Sequence, residues 1–480
     1  MKLFHPLQIV RILSTILLIE CASFIICIPV ASIYKEPVSP FVMAVAVTFI
    51  VSLAFSLISQ KASGNLSNRD GYLVVTFAWL IFICFGTLPY LFSGVTNSFT
   101  DAFFECSSGF TTTGSTIIPD LDIVPRSILF WRSLTHWIGG LGIIALVIII
   151  LPSLRITGYH LFTLESSLKE KIHPKTKAIG FRILFIYLGL TTAEIVFLVA
   201  GEMNLFESIC YTFGTVATGG FALRNDSLVS YSSYSQYIVM IFMFLAGVSQ
   251  LVYYYLIKLN FNKIKHNEEL WFYTLITLIA GTIAGVIVLA NSSYTPEHAL
   301  REGFFNVVSM ITTTGFASVD YLHWPVQGIL LLFLLLFVGA STGSTTGSIK
   351  VARHLIVVKS IKAAFIKLIH PSAVMNIRLN GRILTEKMCV SIISFVMLYL
   401  FIFMAGTILI VFTGSDVITS SSAVAASLGN VGPGLAAAGP MSNYAHFPAV
   451  AKTIFSLLMI IGRIEIIAIL SLFTMSFWKL

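Results

Sequence analysis

Long apolar runs alternate with short polar segments over the whole chain. Roughly ten runs of about 18–25 mostly apolar residues can be marked in the sequence, each long enough to cross about 30 Å of hydrocarbon as an α-helix. These runs are too long for the strands of a membrane barrel, and backbone polar groups in lipid must be satisfied within the segment. The pattern therefore predicts an all-α polytopic membrane protein.

The apolar runs are arranged as a repeat. Two membrane helices come first, in residues 1–66, and a unit then recurs four times: a long apolar helix, a short amphipathic stretch, a turn rich in Gly and Thr, and a second long helix. The turns read TTTGS, VATGG, TTTGF and GNVGPG. We place the four units at 67–155, 176–260, 268–365 and 383–480, with a broken second helix in the third; in unit two, the second helix is predicted over 235–258.

The amphipathic stretch in each unit is too short to cross the bilayer. Each unit begins and ends on the side rich in Lys and Arg, so the stretch and its turn must enter from the opposite side and return. Non-helical backbone at membrane depth is tolerated only where it is buried in protein or lines water. Four such turns facing one axis predict pseudo-symmetric units around one central pore.

The four turns contain no charged residue, which limits how they can bind an ion. A cation site without carboxylates must use backbone carbonyls and hydroxyls, as potassium filters do. Glycine permits the backbone angles that direct successive carbonyls to one side, and the C-terminal end of the preceding helix favours a cation. Ordinary polar loops are the alternative for a single turn, but four turns in matching places favour a filter. The candidate ion-binding residues are Thr112, Thr113, Gly114, Ala217, Thr218, Gly219, Thr313, Thr314, Gly315, Asn430, Val431 and Gly432.

A second polar stretch, VGASTGSTTGSIKVARH at 338–354, interrupts the second helix of unit three. One interpretation is a helix-packing face of small residues. The other is a broken helix whose middle lies across the pore as a gate. The candidate gate residues in this stretch are Gly339, Gly343, Thr345, Thr346 and Gly347.

Ionisable residues inside apolar runs are costly, and by default they indicate function. Arg463 and Glu465 lie deep in the last helix, two residues apart and so on different faces. Arg463 is a further candidate gate residue, with a structural ion pair as the alternative. Glu20 and Glu194 are intramembrane carboxylates without assigned partners, and we interpret His136 as a packing residue.

The charge balance agrees with a membrane protein. Only 10% of residues are charged and the mean hydropathy is +0.92, whereas soluble chains carry roughly 25% charge. Of the 29 Lys and Arg residues, 22 lie in alternate interhelical segments and at the two ends of the chain, which predicts that both termini are cytoplasmic. Topology explains the net charge of +8 without nucleic-acid binding. The six cysteines show neither disulfide nor metal-site spacing.

Four features occur together in this chain: FWRSLTHWIGGLGIIAL at 130–146, the four turns, GSTTGSIKV and the closing GRIEI. In combination they resemble the TrkH potassium-uptake proteins of bacteria, which share a superfamily with KtrB and the plant HKT proteins. The two additional N-terminal helices favour a TrkH-type chain over KtrB. The resemblance implies a homodimer with one pore per subunit and a cytosolic TrkA-like ring that binds nucleotides. It also implies that 339–348 is an intramembrane loop and that Arg463 lines the constriction below the filter.

The predicted function is K⁺ uptake across a bacterial inner membrane, without enzymatic activity. Gly114 fits K⁺ because related plant proteins that transport Na⁺ carry serine at this position, whereas the loop carries less glycine than is usual in the family. One alternative is a symporter that couples K⁺ to H⁺ or Na⁺, with Glu20, Glu194 or Glu465 as the proton site. A membrane enzyme or scaffold is the other, but no nucleophile–base pair, metal cluster or phosphate loop supports it.

Overall fold

The computed structural model describes residues 4–62, 67–145, 175–373, 375–464 and 466–478. Almost all regular structure in these ranges is α-helix, which confirms the predicted fold class. Two short strands within them, β1 (Arg378–Leu379) and β2 (Arg382–Ile383), pair as an antiparallel hairpin.

The two N-terminal helices form a pair beside unit one. These are α1 (Pro6–Ile33) and α2 (Ser39–Ile58). At their buried contact, Ser14 Oγ donates to the carbonyl of Ser52 (3.0 Å) and Ser52 Oγ donates to the carbonyl of Ser14 (2.9 Å). Small hydroxyl residues let two membrane helices approach closely and hydrogen-bond across their interface.

Units one and two each contain a short helix between longer ones. Unit one comprises α3 (Asn68–Gly86), α4 (Leu88–Ser93), the short α5 (Phe99–Phe110) and α6 (Arg126–Ala145). Unit two comprises α7 (Lys175–Val199), the short α8 (Leu205–Val216), α9 (Ser233–Ala246) and α10 (Gln250–Ile257), followed by α11 (Phe261–Lys265).

The prediction of one continuous helix over 235–258 in unit two is wrong. Helices α9 and α10 meet at an angle of 93°. The break at Gly247 is stabilised from outside the unit, because the N–H of Ser341 donates to the Gly247 carbonyl (3.1 Å) and the N–H of Gln250 donates to the Gly343 carbonyl (3.4 Å). The broken helix of unit two is therefore bonded to the interrupted helix of unit three.

Units three and four repeat the pattern. Unit three comprises α12 (Glu268–Asn291), the short α13 (Pro296–Ile311), the 3₁₀ turn Tyr321–His323, α14 (Val326–Leu335) and α15 (Val351–Ile369). Unit four comprises α16 (Glu386–Val411), the short α17 (Val417–Gly429), the 3₁₀ turn Ala436–Ala438, α18 (Ala449–Ile464), α19 (Ile466–Ser471) and α20 (Met475–Trp478).

Six helical spans in the described part of the chain are long and apolar enough to cross a membrane, and the bent pair α9–α10 makes a possible seventh. Five of the six are α1, α2 and the first helices of units two to four; the sixth joins α3 and α4. The second helices of the units are instead broken, or carry buried charged side chains such as Arg132 and Lys452. Buried charged residues are not confined to the second helices, because Glu20, Glu194 and Glu269 lie on α1, α7 and α12.

Side-chain caps fix where three of the short helices begin. Asn204, Thr295 and Asp416 each accept a hydrogen bond from the backbone N–H three residues later. Hydrogen bonds from the Thr419 side chain and N–H lower the pKa of Asp416, because they favour its charged form. The caps start these helices at the same end of their units, so that their C-termini converge.

Each short helix packs against the second helix of the preceding unit. Helix α8 contacts α6, α13 contacts α9, and α5 contacts α18, which closes the circle from unit four back to unit one. At the fourth position, the interrupted segment of unit three takes the place of a helix, and Gly347 lies directly against the Gly429 carbonyl at the end of α17. The four units are therefore arranged in a circle, and the interrupted segment of unit three lies against the ends of the short helices.

Candidate ion pathway

The four short helices end in the same hydrogen-bonded turn. An N–H just beyond each helix donates to the carbonyl five residues earlier, which is the pattern of a Schellman motif. The bonds join Thr113 to Ser108 (2.8 Å), Gly219 to Gly214 (2.7 Å), Thr314 to Ser309 (2.9 Å) and Val431 to Ala426 (2.8 Å). The turns are therefore equivalent in backbone conformation, although their sequences differ.

The residue before each of these N–H groups has a left-handed backbone. The φ angle is +52° at Thr112, +55° at Thr218, +53° at Thr313 and +53° at Asn430. This conformation costs an L-residue about 1–2 kcal/mol and is unusual for a β-branched side chain. Buried backbone strain of this kind is typical of functional sites.

A glycine with positive φ follows in every turn. The φ angles are +90° at Gly114, +80° at Gly220, +82° at Gly315 and +103° at Gly432. A Cβ at any of these positions would collide with a backbone carbonyl oxygen of the next turn. Glycine is required here both for the backbone angle and for the close approach of two chains.

These close contacts link the four turns into a closed ring. Gly114 lies against the carbonyl of Gly219, and the other contacts follow in order: Gly220 against Thr314, Gly315 against Val431, and Gly432 against Thr113. The sequence of contacts returns to the first turn, so the turns surround one axis. The oxygens of Thr113, Gly219, Thr314 and Val431 form one layer of this ring, called here the carbonyl ring.

The predicted register in unit two is wrong by one residue. The candidates Ala217, Thr218 and Gly219 place Gly219 level with Gly114, but the glycine with positive φ in unit two is Gly220. Ala217 accordingly has right-handed angles at the end of α8 and lies outside the three equivalent positions, which are Thr218, Gly219 and Gly220. Glycine is required at position 219 for a different reason, because a Cβ on Gly219 would collide with the ring of His136.

A buried ion pair supports the ring between the first two turns. Arg132 Nε donates to Glu105 Oε1 (2.7 Å), and both side chains are at most 1% exposed. Arg132 Nη1 also donates to the Ala222 carbonyl (3.2 Å), and Glu105 accepts from the N–H of Ile117 (2.9 Å). The pair thus joins α5, α6 and the segments after both turns. Its sequence signal was weak, because α5 also carries Asp101 and α6 also carries Arg126.

The segments that follow the turns enclose a cavity of about 190 Å³ on one side of the ring. Two charged side chains line it, Arg132 and Arg224, and both are neutralised by carboxylates. Arg132 pairs with Glu105, and Arg224 Nη2 lies 3.1 Å from Glu207 Oε1. The cavity therefore leads to the ring without presenting an unpaired cation to an entering ion.

The interrupted segment of unit three lies on the other side of the ring. Its ends are joined by a parallel bridge between Val338 and Ile349, in which the N–H of Gly339 donates to the Ile349 carbonyl (2.9 Å). Residues 341–348 between these ends form the structure called here the loop. Gly343 has φ of +82°. Six of the eight loop residues have polar side chains, the exceptions being Gly343 and Gly347. All eight except Gly343 are buried.

The loop is hydrogen-bonded to the turns themselves. The N–H of Gly347 donates to Thr313 Oγ1 (2.8 Å), and Thr345 Oγ1 donates to the Val216 carbonyl (3.2 Å). Thr218 Oγ1 lies 3.3 Å from Thr345 Oγ1. A Cβ at Gly347 would collide with the end of α17. The loop therefore contacts the turns of units two and three and the fourth short helix.

Arg463 is buried at the loop and points at backbone oxygens. Its Nη1 donates to the Thr345 carbonyl (2.6 Å), and Nη2 donates to the Gly139 carbonyl (3.4 Å). These contacts join α18 and α6 to the middle of the loop. The prediction for Glu465 lies outside the described residues, so the alternative of an ion pair concerns only Arg463 here, and its described partners are carbonyls.

Two buried carboxylates, Glu20 and Glu194, and the buried His136 lie near the short helices and their turns. Glu20 is completely buried near Gly86, and Glu194 is completely buried beside Thr215 of α8. Within the described ranges, no hydrogen bond to either carboxylate is formed. His136 stacks on Phe221 with ring centroids 4.2 Å apart, as expected for a packing residue.

Comparison with known proteins identifies the family. Residues 39–479 match the family model TrkH, which is described as a cation transport protein. The chain belongs to the TrkH family. It is 33% identical to the Trk system potassium uptake protein TrkH of Salmonella typhimurium over 99% of this chain and 100% of that one. It is 32% identical to the Trk system potassium uptake protein TrkG of Escherichia coli K12, over 94% of each chain.

The fold of this TrkH-family chain also matches a solved structure. The crystal structure of the potassium transporter TrkH from Vibrio parahaemolyticus superposes with a TM-score of 0.90 and 30% sequence identity, covering 99% of this chain and 100% of that one. The match includes the two N-terminal helices as well as the four units. The family resemblance predicted from the motifs is thereby confirmed, and the chain is a multi-pass membrane protein of a cation transport family.

Proposed function

We propose that the chain carries K⁺ across the bacterial inner membrane, with the carbonyl ring and its flanking residues as the selectivity filter. The observation that carries this proposal is the closed circle of contacts between four uncharged turns. Carbonyl oxygens around one axis can replace the hydration shell of a monovalent cation, and four helix C-termini add a favourable potential. Relatives over the full length are named as potassium uptake proteins.

The filter proposal keeps eleven of the residues predicted from sequence and exchanges one. Gly220 replaces Ala217, while Gly219 moves into the position equivalent to Thr113. In the direction of uptake, an inside-negative potential contributes about 2.3 kcal/mol per charge per 100 mV. Both termini are proposed to be cytoplasmic, as the distribution of Lys and Arg indicates.

The gate is proposed to be the loop together with Arg463. The loop lies against three of the four turns, and the guanidinium of Arg463 is fixed to its centre. In this position the loop blocks the axis, and a buried positive charge beside it repels a second cation. Gly339, Gly343 and Gly347 give the backbone its bridge, its left-handed turn and its close approach to α17.

A cytosolic partner is proposed to shift this gate. The relatives are named as parts of a Trk system, and the family resemblance suggests a TrkA-like nucleotide-binding ring as partner and a homodimer with one pore per subunit. The partner ring or the second subunit would act on the gate through the segments that are bonded to the loop. The most direct of these is α15, which follows the loop in the sequence.

Flux through the purified protein tests the proposal. Liposomes containing the protein are expected to take up ⁸⁶Rb⁺ under an inside-negative potential, with K⁺ competing far better than Na⁺. Liposomes without protein give the background. Uptake that Na⁺ and K⁺ inhibit equally would contradict a potassium filter, and no uptake under any nucleotide or partner condition would contradict conduction.

Coupled symport is the second candidate, and the buried carboxylates Glu20 and Glu194 favour it because each lies beside a short helix. The reversal potential at fixed K⁺ separates the two candidates. A shift with the pH gradient would show H⁺ coupling, whereas a reversal potential that follows K⁺ alone supports uncoupled conduction.

A further inference from the structure

A second buried cation binds the loop, in addition to Arg463. Lys350 is the last residue before α15, and its side chain is only 9% exposed. In the sequence it is one of many basic residues that the positive-inside rule would place at the cytoplasmic surface. The structure instead directs its ammonium group back into the loop.

The Lys350 ammonium is surrounded by oxygens of the loop. Nζ donates to the carbonyl and to Oγ1 of Thr346, the latter at 3.0 Å, and lies 3.5 Å from the carbonyl of Ser344. Ser344 Oγ and Thr346 Oγ1 are themselves 2.8 Å apart, which keeps the two residues together. Together with the Arg463 bond to Thr345, three successive carbonyls of the loop face fixed cations.

We infer that Lys350 is a tethered cation that fills a monovalent-cation site made by Ser344 and Thr346, and that it thereby holds the loop closed. The carbonyl oxygens of Ser344 and Thr346 and the hydroxyl of Thr346 are ligands of the kind that suits K⁺. A lysine ammonium is a compact charge with three donors, so it can occupy such a site. The inference rests on the proposed function, because it assigns Lys350 as a positioning residue of the proposed gate.

Two other charged side chains, Glu269 and Arg353, lie close to the two ends of the loop. Glu269 Oε1 on α12 accepts from the N–H of Thr342 at the start of the loop. Arg353, one turn into α15, lies over the ring of Phe395, with its guanidinium carbon 3.7 Å from the ring centre. Glu269 thus holds the first end of the loop, while Lys350 and Arg463 both hold its middle, at Ser344, Thr346 and Thr345.

Neutralising Lys350 should release the loop. Without the ammonium, the carbonyls of Ser344 and Thr346 are buried and unsatisfied, which favours a loop conformation that exposes them to water or to K⁺. Lys350→Ala should raise partner-independent ⁸⁶Rb⁺ flux about tenfold or more, the change expected from losing one charge-assisted hydrogen bond. Selectivity for K⁺ over Na⁺ should not change, because the carbonyl ring is untouched.

A free amine should replace the missing side chain. Lys350→Ala leaves space for propylammonium, which should lower the raised flux in this variant. Propanol, of similar size but uncharged, should have no effect. Lys362→Ala is the matched control, because Lys362 is an exposed residue of the same helix; its flux should equal that of the unmodified chain, with and without propylammonium.

Two further variants cover a failure of Lys350→Ala to fold. Lys350→Gln should leak and Lys350→Arg should stay nearly closed, with folding checked by size-exclusion chromatography. Equal flux in these two variants, or propylammonium inhibition that is the same in Lys362→Ala, would overturn the inference. Deletion of 342–346 separates this outcome from a failure of the proposed function: flux in the deletion but not in Lys350→Ala refutes only the role of Lys350, and no K⁺ flux in either refutes the proposed function.

Discussion

Four glycines with positive φ allow the four turns to approach one another closely enough to form the carbonyl ring. At each of these glycines, the space that a Cβ would occupy lies against a carbonyl oxygen of the next turn. The ring can form because no side chain fills these four positions. Two positions before three of these glycines, Thr218, Thr313 and Asn430 keep a left-handed backbone and use their side chains for contacts to the loop or to another turn. Residues of the proposed filter and of the proposed gate are therefore in direct contact.

Gly114→Ser and Gly220→Ser should both weaken discrimination between K⁺ and Na⁺, and to a similar extent. In both variants the new Cβ pushes a ring carbonyl of the next turn, which changes the oxygen positions on the axis. The permeability ratio in liposomes measures the effect. Gly94→Ser is the matched control, because Gly94 also has positive φ (+73°) but open space around its Cβ position. An unchanged ratio in Gly220→Ser would remove Gly220 from the filter.

Breaking the buried pair should destabilise the protein more than removing it. Arg132→Met alone leaves Glu105 charged and buried, which should lower the free energy of unfolding by about 3–5 kcal/mol. Arg132→Met combined with Glu105→Gln should recover part of this loss. Thermal unfolding in detergent measures both variants. A double variant less stable than either single variant would contradict the assigned pairing.

Sequence patterns located the turns but could not fix every residue within them. TTTG has one glycine, so the register of units one and three was unambiguous, whereas VATGG offers two adjacent glycines and only the φ angles distinguish Gly219 from Gly220. The Glu105–Arg132 pair joins residues 27 positions apart on different helices. Such a pairing depends on how helices pack, which hydrophobic periodicity does not report.

Short helices and one loop, rather than continuous membrane spans, form the candidate ion pathway. The short helices reach only part-way into the protein, and each ends in a Schellman motif that turns its chain back toward the cavity. The loop replaces a helix turn in the fourth packing position. Its location was predictable from the glycines of 338–354, but the break between α9 and α10 was not, because Gly247–Ser249 is brief and lies within an apolar run.

Deleting 342–346 or substituting Arg463→Ala should raise basal flux. The deletion removes the contacts to Val216 and Thr218, and the substitution leaves the Thr345 carbonyl without its buried donor. Flux of ⁸⁶Rb⁺ in the absence of any partner measures the change. Arg463→Lys keeps the charge and should leak less than Arg463→Ala. Lower or unchanged flux in well-folded protein would show that neither group closes the pore.

At the scale of the whole molecule, the four units share one architecture but differ in what they contribute to the candidate ion pathway. All four units contribute a turn to the carbonyl ring, while unit three alone contributes the loop, held by α12, α15 and α18. Hydrophobic patterning predicted the four units and the all-α fold because membrane spans and re-entrant segments differ in length. The closure of the ring is a property of the assembled units and became visible only in the structure.

The position of a bound ion tests the central claim most directly. Crystals grown in Rb⁺ should show anomalous density on the axis, within coordination distance of the carbonyls of Thr113, Gly219, Thr314 and Val431. Crystals of Gly114→Ser grown in the same way should show weaker density there. Density that is absent from this axis, or that is equally strong in Gly114→Ser, would contradict the assignment of these four turns as the potassium filter.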